Sequence, residues 1–364
     1  MEKIFKQFKV KGSLVSVNEY GNGYINDTFL VETKNGSNPE KYILQRINHK
    51  VFFNIEALMN NIEKVTSFVL SKYPDTVLQQ IIKTNDNKNY FFDKINNAYW
   101  RVFSFVDDGV THEYITDVNQ FYEAGIAFGL LQRQLDDFDS SSLVETIKDF
   151  HHTEKRYQRF CKAVDRDLAQ RTHLAAEEIK FLQSREHYAS VVTDLIAAGK
   201  IPIRVTHNDT KLNNVLLNKR TGKALSVVDF DTIMPGSILY DFGDAIRYGA
   251  STAGEDETNL GKISLDLVLF EAFTKGFLKH TAEILNEYEL KYFAFSALLI
   301  TYELSMRFLS DYLNGDIYFK IKNENHNLER TRAQIALLKD MENKLPEMEE
   351  IINRVYLLKM KKRS

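Results

Sequence analysis

The sequence predicts a mixed α+β protein in two lobes. The N-terminal lobe is expected to carry an antiparallel sheet with one or more helices, and the larger C-terminal lobe to be mainly α-helical. Its 364 residues are enough for two domains that each bury a core. Strand and turn signals dominate before residue 107, whereas helical periodicity dominates from about residue 117. We therefore divide the chain into lobes of residues 1–106 and 107–364.

The first lobe combines short apolar runs with one helix. Apolar residues at helical spacing predict a helix over 55–70, and Pro74 follows as a stop. The acidic, glycine-containing break at 107–109 is the candidate hinge between the lobes. Runs bounded by turn residues predict strands, the first three as an antiparallel meander: 14–20, 28–33, 41–47, 76–82 and 97–106.

The second lobe is predicted to consist of long helices with one β insertion. Between residues 203 and 231 two apolar runs flank a turn at Thr221-Gly222, which predicts a β-hairpin. Adjacent His151 and His152 precede a helical pattern and would point to different helix faces, so we interpret them as the start of a surface helix rather than a metal site. Apolar periodicity predicts long helices over 118–135, 178–196 and 290–309.

Composition limits the partners that this chain can have. Lys and Arg total 47 and Asp and Glu total 50, so a net charge of −3 provides no global field for nucleic acid. No apolar run approaches a membrane span, and the N-terminus lacks the apolar core of a secretory signal. A single cysteine, Cys161, excludes an internal disulfide. We expect a cytoplasmic monomer that binds small molecules rather than nucleic acid or membrane.

The densest polar motif is VTHNDTKLNN at residues 205–214. It has the spacing of a kinase catalytic loop: His207, Asp209 two residues later, Lys211, and Asn214 five residues after the aspartate. A further acid, Asp229, follows an apolar strand at the place where a metal-binding carboxylate is required. Taken alone, His-Asn-Asp and Asn-Asn are also common turn formers. That interpretation does not explain the apolar strands that flank both acids, or the sequence DFGD at 241–244.

Phosphoryl transfer from ATP requires these residue types together. Magnesium must neutralise the triphosphate through hard oxygen ligands, for which Asp229 offers a carboxylate and Asn214 an amide carbonyl. Asp209 would accept the proton of the attacking hydroxyl as catalytic base. Lys211 could offset charge on the moving phosphoryl group, and His207 would brace the loop through backbone hydrogen bonds.

The nucleotide is expected to lie under the glycine turn of the N-terminal lobe. Gly21 and Gly23 lack the Cβ that would keep backbone amides away from phosphates, although a plain hairpin turn would look similar. We also assign Phe105 and Val106, directly before the hinge, to this site.

Several stretches together resemble a known family, the phosphotransferases that include aminoglycoside, choline and homoserine kinases. They are VTHNDTKLNNVL, VVDFDTIMPGSILYDFGDAIRYGAST, MRFLSDYLNGDIYF and NENHNLERTRAQI. The resemblance runs from about Tyr20 to the C-terminal helix. It implies a two-lobed protein-kinase-like fold, with Asp209, Asn214 and Asp229 at the family's base and metal positions.

Within that family, the chain is most similar to kinases of N-acetylhexosamines. The resemblance implies transfer of the ATP γ-phosphate to the anomeric C1 hydroxyl of N-acetylglucosamine or N-acetylgalactosamine, giving the α-sugar 1-phosphate. By the same resemblance five residues lie at sugar-pocket positions: Tyr24, Thr232, Tyr248, Arg307 and Tyr318. Tyr24 stands where these sugar kinases have a histidine. Gln45 stands where protein kinases place a lysine, so Arg46 or Lys41 could supply phosphate contacts instead.

Two alternatives stay open at this point. One is a kinase of another small hydroxyl compound, such as choline, homoserine, methylthioribose or a different hexose, which a panel of acceptors would distinguish. The other is a nucleotide-binding module without catalysis, suggested by the missing strand lysine. The presence of Asp209, Asn214 and Asp229 together argues against it.

Overall fold

The N-terminal part of the computed structural model is an antiparallel sheet with one long helix packed on it. The structure describes residues 1–21, 25–36 and 38–361. The sheet has the strand order β1-β2-β3-β6-β4, with β5 paired to β6. Its strands are β1 (Ser13–Glu19), β2 (Asp27–Asn35), β3 (Asn38–Ile47), β4 (Ile81–Ile82), β5 (Phe91–Asp93) and β6 (Ala98–Ser104). The helices of this part are α1 (Glu2–Phe5) and α2 (Ile55–Lys72).

The two faces of this sheet have different surroundings. Side chains alternate between faces along a strand, and on β6 Trp100 and Val102 pack in a small outer core with Phe5 and Phe8. Phe103 instead belongs to the large core that continues into α2 and the rest of the molecule. The alternation therefore places Arg101 on the inner face, between two apolar neighbours.

Helix α2 forms where the sequence predicts it and joins the sheet to the second lobe. Asn54 caps its N-terminus by accepting a hydrogen bond from the Ala57 backbone N–H at 3.0 Å. Four apolar residues at helical spacing are buried on its inner face, and each contributes about 1.5–3 kcal/mol of transfer free energy. They are Leu58, Ile62, Val65 and Val69.

The second lobe is mainly helical, as predicted. Its long helices are α3 (Val118–Gln134), α4 (Thr153–Arg166), α7 (Ile238–Gly249), α8 (Leu267–Thr281), α9 (Glu287–Leu313) and α10 (His326–Lys361), with shorter α5 (Ala176–Gln183) and α6 (Val191–Ala197). Glycines allow α3 and α8 to approach closely, since a Cβ on Gly125 would lie 2.4 Å from the Phe273 carbonyl oxygen. The antiparallel sheet of the first lobe and the helices of the second confirm the predicted α+β class.

Two small sheets interrupt these helices and carry the loops of the site. Strand β9 (Val215–Asn218) pairs with β10 (Ala224–Val227) as the predicted hairpin, and Gly222 in its turn has φ +67°. Strand β7 (Gly109–Val110) also pairs with β9, and β8 (Arg204–Thr206) pairs with β11 (Met234–Gly236). The division after residue 106 stays a prediction, although β6 ends at Ser104 and β7 already pairs within the second lobe.

Three expectations from the sequence are wrong in detail. The strand predicted over 76–82 is reduced to β4, its last two residues. The helix predicted over 178–196 is broken into α5, a 3₁₀ turn and α6, because the Ser184 hydroxyl and the Arg185 guanidinium both donate to the Phe181 carbonyl and end α5. The helix that follows His151 does not start at the surface.

His151 is buried because it binds a buried acid. Its Nδ1 lies 2.9 Å from Oε1 of Glu303 on α9, and the Thr153 hydroxyl donates to Oε2 of the same residue at 2.8 Å. A carboxylate taken out of water needs such partners.

Among residues 1–21, 25–36 and 38–361, no helix is long and apolar enough to cross a lipid bilayer.

Candidate active site

A cleft between the sheet and the helical lobe brings most of the predicted site residues together. Its described lining includes the predicted base, both predicted metal ligands, Lys211 and one predicted sugar residue from the second lobe, and three of the predicted nucleotide residues from the first. They are Gly21, Phe105, Val106, Asp209, Lys211, Asn214, Asp229 and Thr232. Gly23 and Tyr24 lie outside the described residues, so their predicted roles stay predictions.

A buried acid, Asp241, binds the backbone of the loop that carries Asp209. Asp241, in the first turn of α7, accepts hydrogen bonds from the backbone N–H groups of His207 at 2.9 Å and Asn208 at 2.7 Å. Gln132 on α3 donates to the same carboxylate at 2.7 Å. Burial nevertheless raises the pKa of Asp241 above its usual range. Asn208 has φ +64°, a conformation that Asn tolerates better than most residues.

A second acid of the same helix continues this support. Asp244 accepts a hydrogen bond from the Thr210 backbone N–H at 3.0 Å, and the Thr210 hydroxyl donates to the Asp241 carbonyl at 2.6 Å. The His207 ring braces the loop as predicted, with Nε2 3.0 Å from the Val228 carbonyl oxygen. The DFGD sequence therefore positions the backbone on both sides of Asp209.

Asp209 is kept ionised by its neighbours. The Lys211 ammonium lies 2.8 Å from Asp209 Oδ1, and the Asn214 amide donates to Oδ2 at 3.0 Å. Burial alone would raise the pKa of Asp209, but Lys211, His207 and Asn214 together hold the pKa below its usual value. The pKa of Lys211 is raised, because the charges of Asp209 and nearby acids outweigh its desolvation. A carboxylate in this state can accept a proton from an alcohol.

Asp229 is a cleft carboxylate with no ion-pair partner among the described residues. Asp209 is paired with Lys211 and Asp231 with Arg101, whereas the described residues offer Asp229 no ion pair. Its side chain is exposed to the cleft, yet desolvation by the surrounding walls and the charges of Asp231 and Asp209 raise the pKa of Asp229 to about 7. A carboxylate that faces the cleft without an ion-pair partner fits a divalent cation.

The surroundings of Asp229 define which other ligands a cation would have. Across the described part of the chain, no group of three His, Cys, Asp or Glu side chains is placed to hold a metal ion. A cation at Asp229 would therefore need nucleotide oxygens and the side-chain oxygen of Asn214. The amide nitrogen of Asn214 is already turned toward Asp209, which leaves the oxygen as the available end. This donor set suits Mg²⁺.

Arg101 is a cleft residue that the sequence patterns did not predict. Arg101 lines the cleft with Gln45 beside it and binds Asp231 through a buried ion pair. Lys41 and Arg46, the two residues considered for phosphate contacts, instead pair with acids on the neighbouring strand β2 at exposed positions. The only signal in the sequence is an arginine inside the apolar strand WRVFSF, at an inward position of the alternation.

Apolar side chains from both lobes line the cleft. Ile25, shortly before β2, and Ile43 of β3 come from the first lobe, and Leu216 of β9 and Val228, just after β10, come from the second. Phe105 also lines the cleft, and its ring packs edge-to-face with that of Tyr20 at a centroid distance of 6.1 Å. Apolar side chains of this kind can hold a flat base such as adenine.

The predicted sugar residues fall into two groups. Thr232 lines the cleft, but its hydroxyl already donates to the His207 carbonyl at 2.7 Å. The Tyr248 ring lies near the catalytic loop, with the Lys211 ammonium 5.7 Å from its centroid. Both residues thus contact the loop that carries Asp209.

Arg307 and Tyr318 form the second group, and neither is among the residues that line the cleft. The Arg307 guanidinium lies between the rings of Phe150 and Phe319, at 5.3 and 5.7 Å from their centroids. The Tyr318 ring contacts Phe319 edge-on at 4.8 Å. The structure therefore brings these two side chains to one aromatic cluster.

Comparison with solved structures shows the fold. A microcompartment-associated aminopropanol kinase matches with a TM-score of 0.61 and 16% identity, over 96% of this chain and 97% of that chain. Choline kinase from Cryptosporidium parvum Iowa II matches with a TM-score of 0.57 and 12% identity, over 94% and 93%. Spectinomycin phosphotransferase APH(9)-Ia, solved with ADP and spectinomycin, matches with a TM-score of 0.55 and 11% identity, over 92% and 94%.

These similarities confirm the protein-kinase-like fold that the sequence predicted. The sequence itself matches the phosphotransferase enzyme family (APH) over residues 16–267. That segment covers more than half of the chain and contains the catalytic-loop motif, Asp229 and the DFGD sequence. The chain therefore belongs to the phosphotransferase enzyme family.

Proposed function

We propose that this protein transfers the γ-phosphoryl group of ATP to the anomeric C1 hydroxyl of an N-acetylhexosamine, with Asp209 as catalytic base. The observation that carries the kinase part is the convergence of Asp209, Lys211, Asn214 and Asp229 on one cleft, which apolar side chains from both lobes also line. The sugar part is supported by the resemblance of the sequence to N-acetylhexosamine 1-kinase and by the charges near the predicted sugar residues.

Each catalytic role follows from a contact in the cleft. Asp209, ionised and oriented by Asn214, would accept the proton of the attacking hydroxyl as the oxygen bonds to phosphorus. Lys211, 2.8 Å from Asp209, would place positive charge beside the transferred group. Bound magnesium would neutralise the phosphates, and Asp229 with Asn214 would hold it.

The charges around Arg307 favour a neutral acceptor over a cationic one. Arg307 has no ion-pair partner among the described residues. The neighbouring Arg156 is largely buried, and this burial, together with the positive charge of Arg307, lowers the pKa of Arg156 to about 10. The nearby carboxylate of Glu303 is already bound by His151 and Thr153. Choline, amino alcohols and aminoglycosides are cations, which Arg307 would repel from an acceptor bound at the sugar-pocket position that the resemblance implies for it. A guanidinium among aromatic rings suits the oxygens and apolar face of a sugar.

A panel of acceptors tests the proposal. N-acetylglucosamine, N-acetylgalactosamine, glucose, methylthioribose, homoserine and choline would be compared at fixed ATP and Mg²⁺ by ADP release, and the product by phosphorus NMR. We expect turnover with the N-acetylhexosamines and an anomeric phosphate. Turnover with only a cationic acceptor would overturn the sugar assignment, and nucleotide binding without ADP release for any acceptor would overturn the kinase assignment.

Substitution of Asp209 tests its assignment as the catalytic base, with a matched control at an exposed aspartate. Asp209→Asn should lower kcat by a factor of about 10²–10⁴, the usual range for a general base, while the protein stays folded. Asp137→Asn removes the carboxylate of an exposed ion pair with Lys72 and serves as the control, with kcat unchanged. Undiminished turnover in Asp209→Asn would exclude Asp209 as the base.

A further inference from the structure

A buried ion pair connects the sheet of the first lobe to the metal loop of the second. Arg101 on β6 is 1% exposed and Asp231 is 4% exposed. The two terminal guanidinium nitrogens of Arg101 each donate to one carboxylate oxygen of Asp231: Nη1 to Oδ1, and Nη2 to Oδ2 at 2.9 Å. Such a two-point contact defines the position of both groups in a way that a single contact does not.

Other residues of the first lobe bind both members of this ion pair. Arg101 Nε donates to Oε1 of Gln45 on β3 at 2.9 Å, and Gln45 Nε2 donates to the Thr28 hydroxyl on β2 at 3.0 Å. Asn26 donates from Nδ2 to Asp231 Oδ2 at 2.7 Å. Two residues of the first lobe, Arg101 and Asn26, therefore bind this carboxylate of the second lobe directly, and Gln45 orients Arg101.

Asp231 belongs to the same short loop as Asp229. Asp229 has φ +64° and ψ +62°, and a 3₁₀ turn over Phe230–Thr232 follows it directly. A left-handed conformation in a residue other than glycine persists only when its surroundings hold it. The Asp231 side chain is held by Arg101, and its backbone carbonyl accepts a hydrogen bond from the Thr146 hydroxyl at 3.1 Å. These contacts restrain the loop immediately after Asp229.

We propose that Arg101 is a positioning residue, which sets the location of Asp229 relative to the nucleotide by binding Asp231 across the two lobes. This inference rests on the proposed kinase function, since it assigns to Asp229 the role of holding the cation of the nucleotide. Direct contact between Arg101 and a phosphate fits the structure less well. Arg101 is almost completely buried, and its Nε, Nη1 and Nη2 already donate to Gln45 and Asp231.

A double-mutant cycle separates positioning from phosphate contact. Arg101→Met, Asp231→Asn and the double variant would be compared with the wild type in kcat, in KM for Mg·ATP and in urea unfolding. If Arg101 acts through Asp231, both single variants should lose kcat by about tenfold to a hundredfold, as for a small misplacement of reacting groups, and the double variant should lose no more than either. Independent, multiplying losses, or a wild-type kcat in Asp231→Asn, would overturn the proposal.

Two further variants guard against a purely structural explanation. Arg354→Met breaks a partly exposed ion pair with Glu271 by the same substitution, and kcat should stay at the wild-type value. Arg101→Lys retains the charge and loses the two-point contact, so it keeps the test available if Arg101→Met does not fold. A folded Arg101→Lys protein with wild-type kcat and KM for Mg·ATP would contradict the positioning role, whatever its stability.

Nucleotide binding distinguishes this inference from the acceptor assignment. If the wild type shows no turnover with N-acetylhexosamines, the acceptor assignment has failed, and calorimetry with ADP still tests Arg101. Mg²⁺ should increase the affinity of the wild type for ADP, and Arg101→Met should reduce that increase by about tenfold. An equal increase in both proteins would overturn the role of Arg101.

Discussion

Gly243 offers a direct test of how helix packing supports the catalytic loop. It lies in α7 between Asp241 and Asp244, the two acids that hold the backbone around Asp209. A Cβ added at Gly243 would lie 2.4 Å from the Ser296 carbonyl oxygen of α9 and 2.9 Å from Cγ1 of Ile300. Ordinary contact requires roughly 3.4 Å, so Gly243→Ala must separate α7 and α9 by about 1 Å in a closely packed core.

The magnitude follows from this displacement. Overpacking of a core typically costs about 1–3 kcal/mol of unfolding free energy. The same movement carries both acids with α7, and a misplacement of about 1 Å near the reacting groups can lower kcat by about 10²-fold. We therefore expect Gly243→Ala to lower the urea midpoint and to lower kcat of the remaining folded protein by about tenfold to a hundredfold.

Urea unfolding and steady-state kinetics measure the two effects separately. Gly261→Ala is the matched control, because the nearest atom to its added Cβ is the Asn259 side-chain oxygen at 3.4 Å. It should change neither quantity appreciably. Equal behaviour of the two variants would refute the packing argument. A loss of stability in Gly243→Ala without a loss of kcat would refute the connection between α7 and the catalytic loop.

Two other predictions concern pH and stability. Since burial and the charges of Asp231 and Asp209 raise the pKa of Asp229 to about 7, its carboxylate is protonated below that pH and competes poorly for a cation. The free Mg²⁺ concentration for half-maximal ADP release should rise by up to about tenfold from pH 8 to pH 6, and a constant value would contradict this assignment. Glu289 is fully buried and accepts hydrogen bonds from Arg204 at 2.7 and 3.0 Å, so Glu289→Gln should lower the unfolding free energy by about 2–3 kcal/mol. Chemical denaturation checks this against Glu271→Gln, which breaks a partly exposed ion pair with Lys275 and for which a change of about 0–1 kcal/mol is expected.

The sequence predicted the parts of this protein that depend on neighbouring residues. The α+β order, the hairpin at Thr221-Gly222 and the helix over α2 follow from local periodicity and turn residues. The catalytic-loop motif could be found because its chemistry is concentrated within ten residues, between two short strands. Asp229 follows at the end of the next strand, so the spacing alone brings the two acids to adjoining loops.

Only the tertiary structure decided which distant residues support these acids. Arg101 and Asp231 are 130 positions apart, and Asn26 and Asp231 are 205 apart. Alternation along β6 places Arg101 on the inner face, but it does not say which carboxylate lies opposite. Likewise, DFGD is visible in the sequence, but its binding to the backbone of His207 and Asn208 is not. The physical reason is that periodicity reports which face of an element is buried, whereas the partners of a buried charge depend on how the lobes pack.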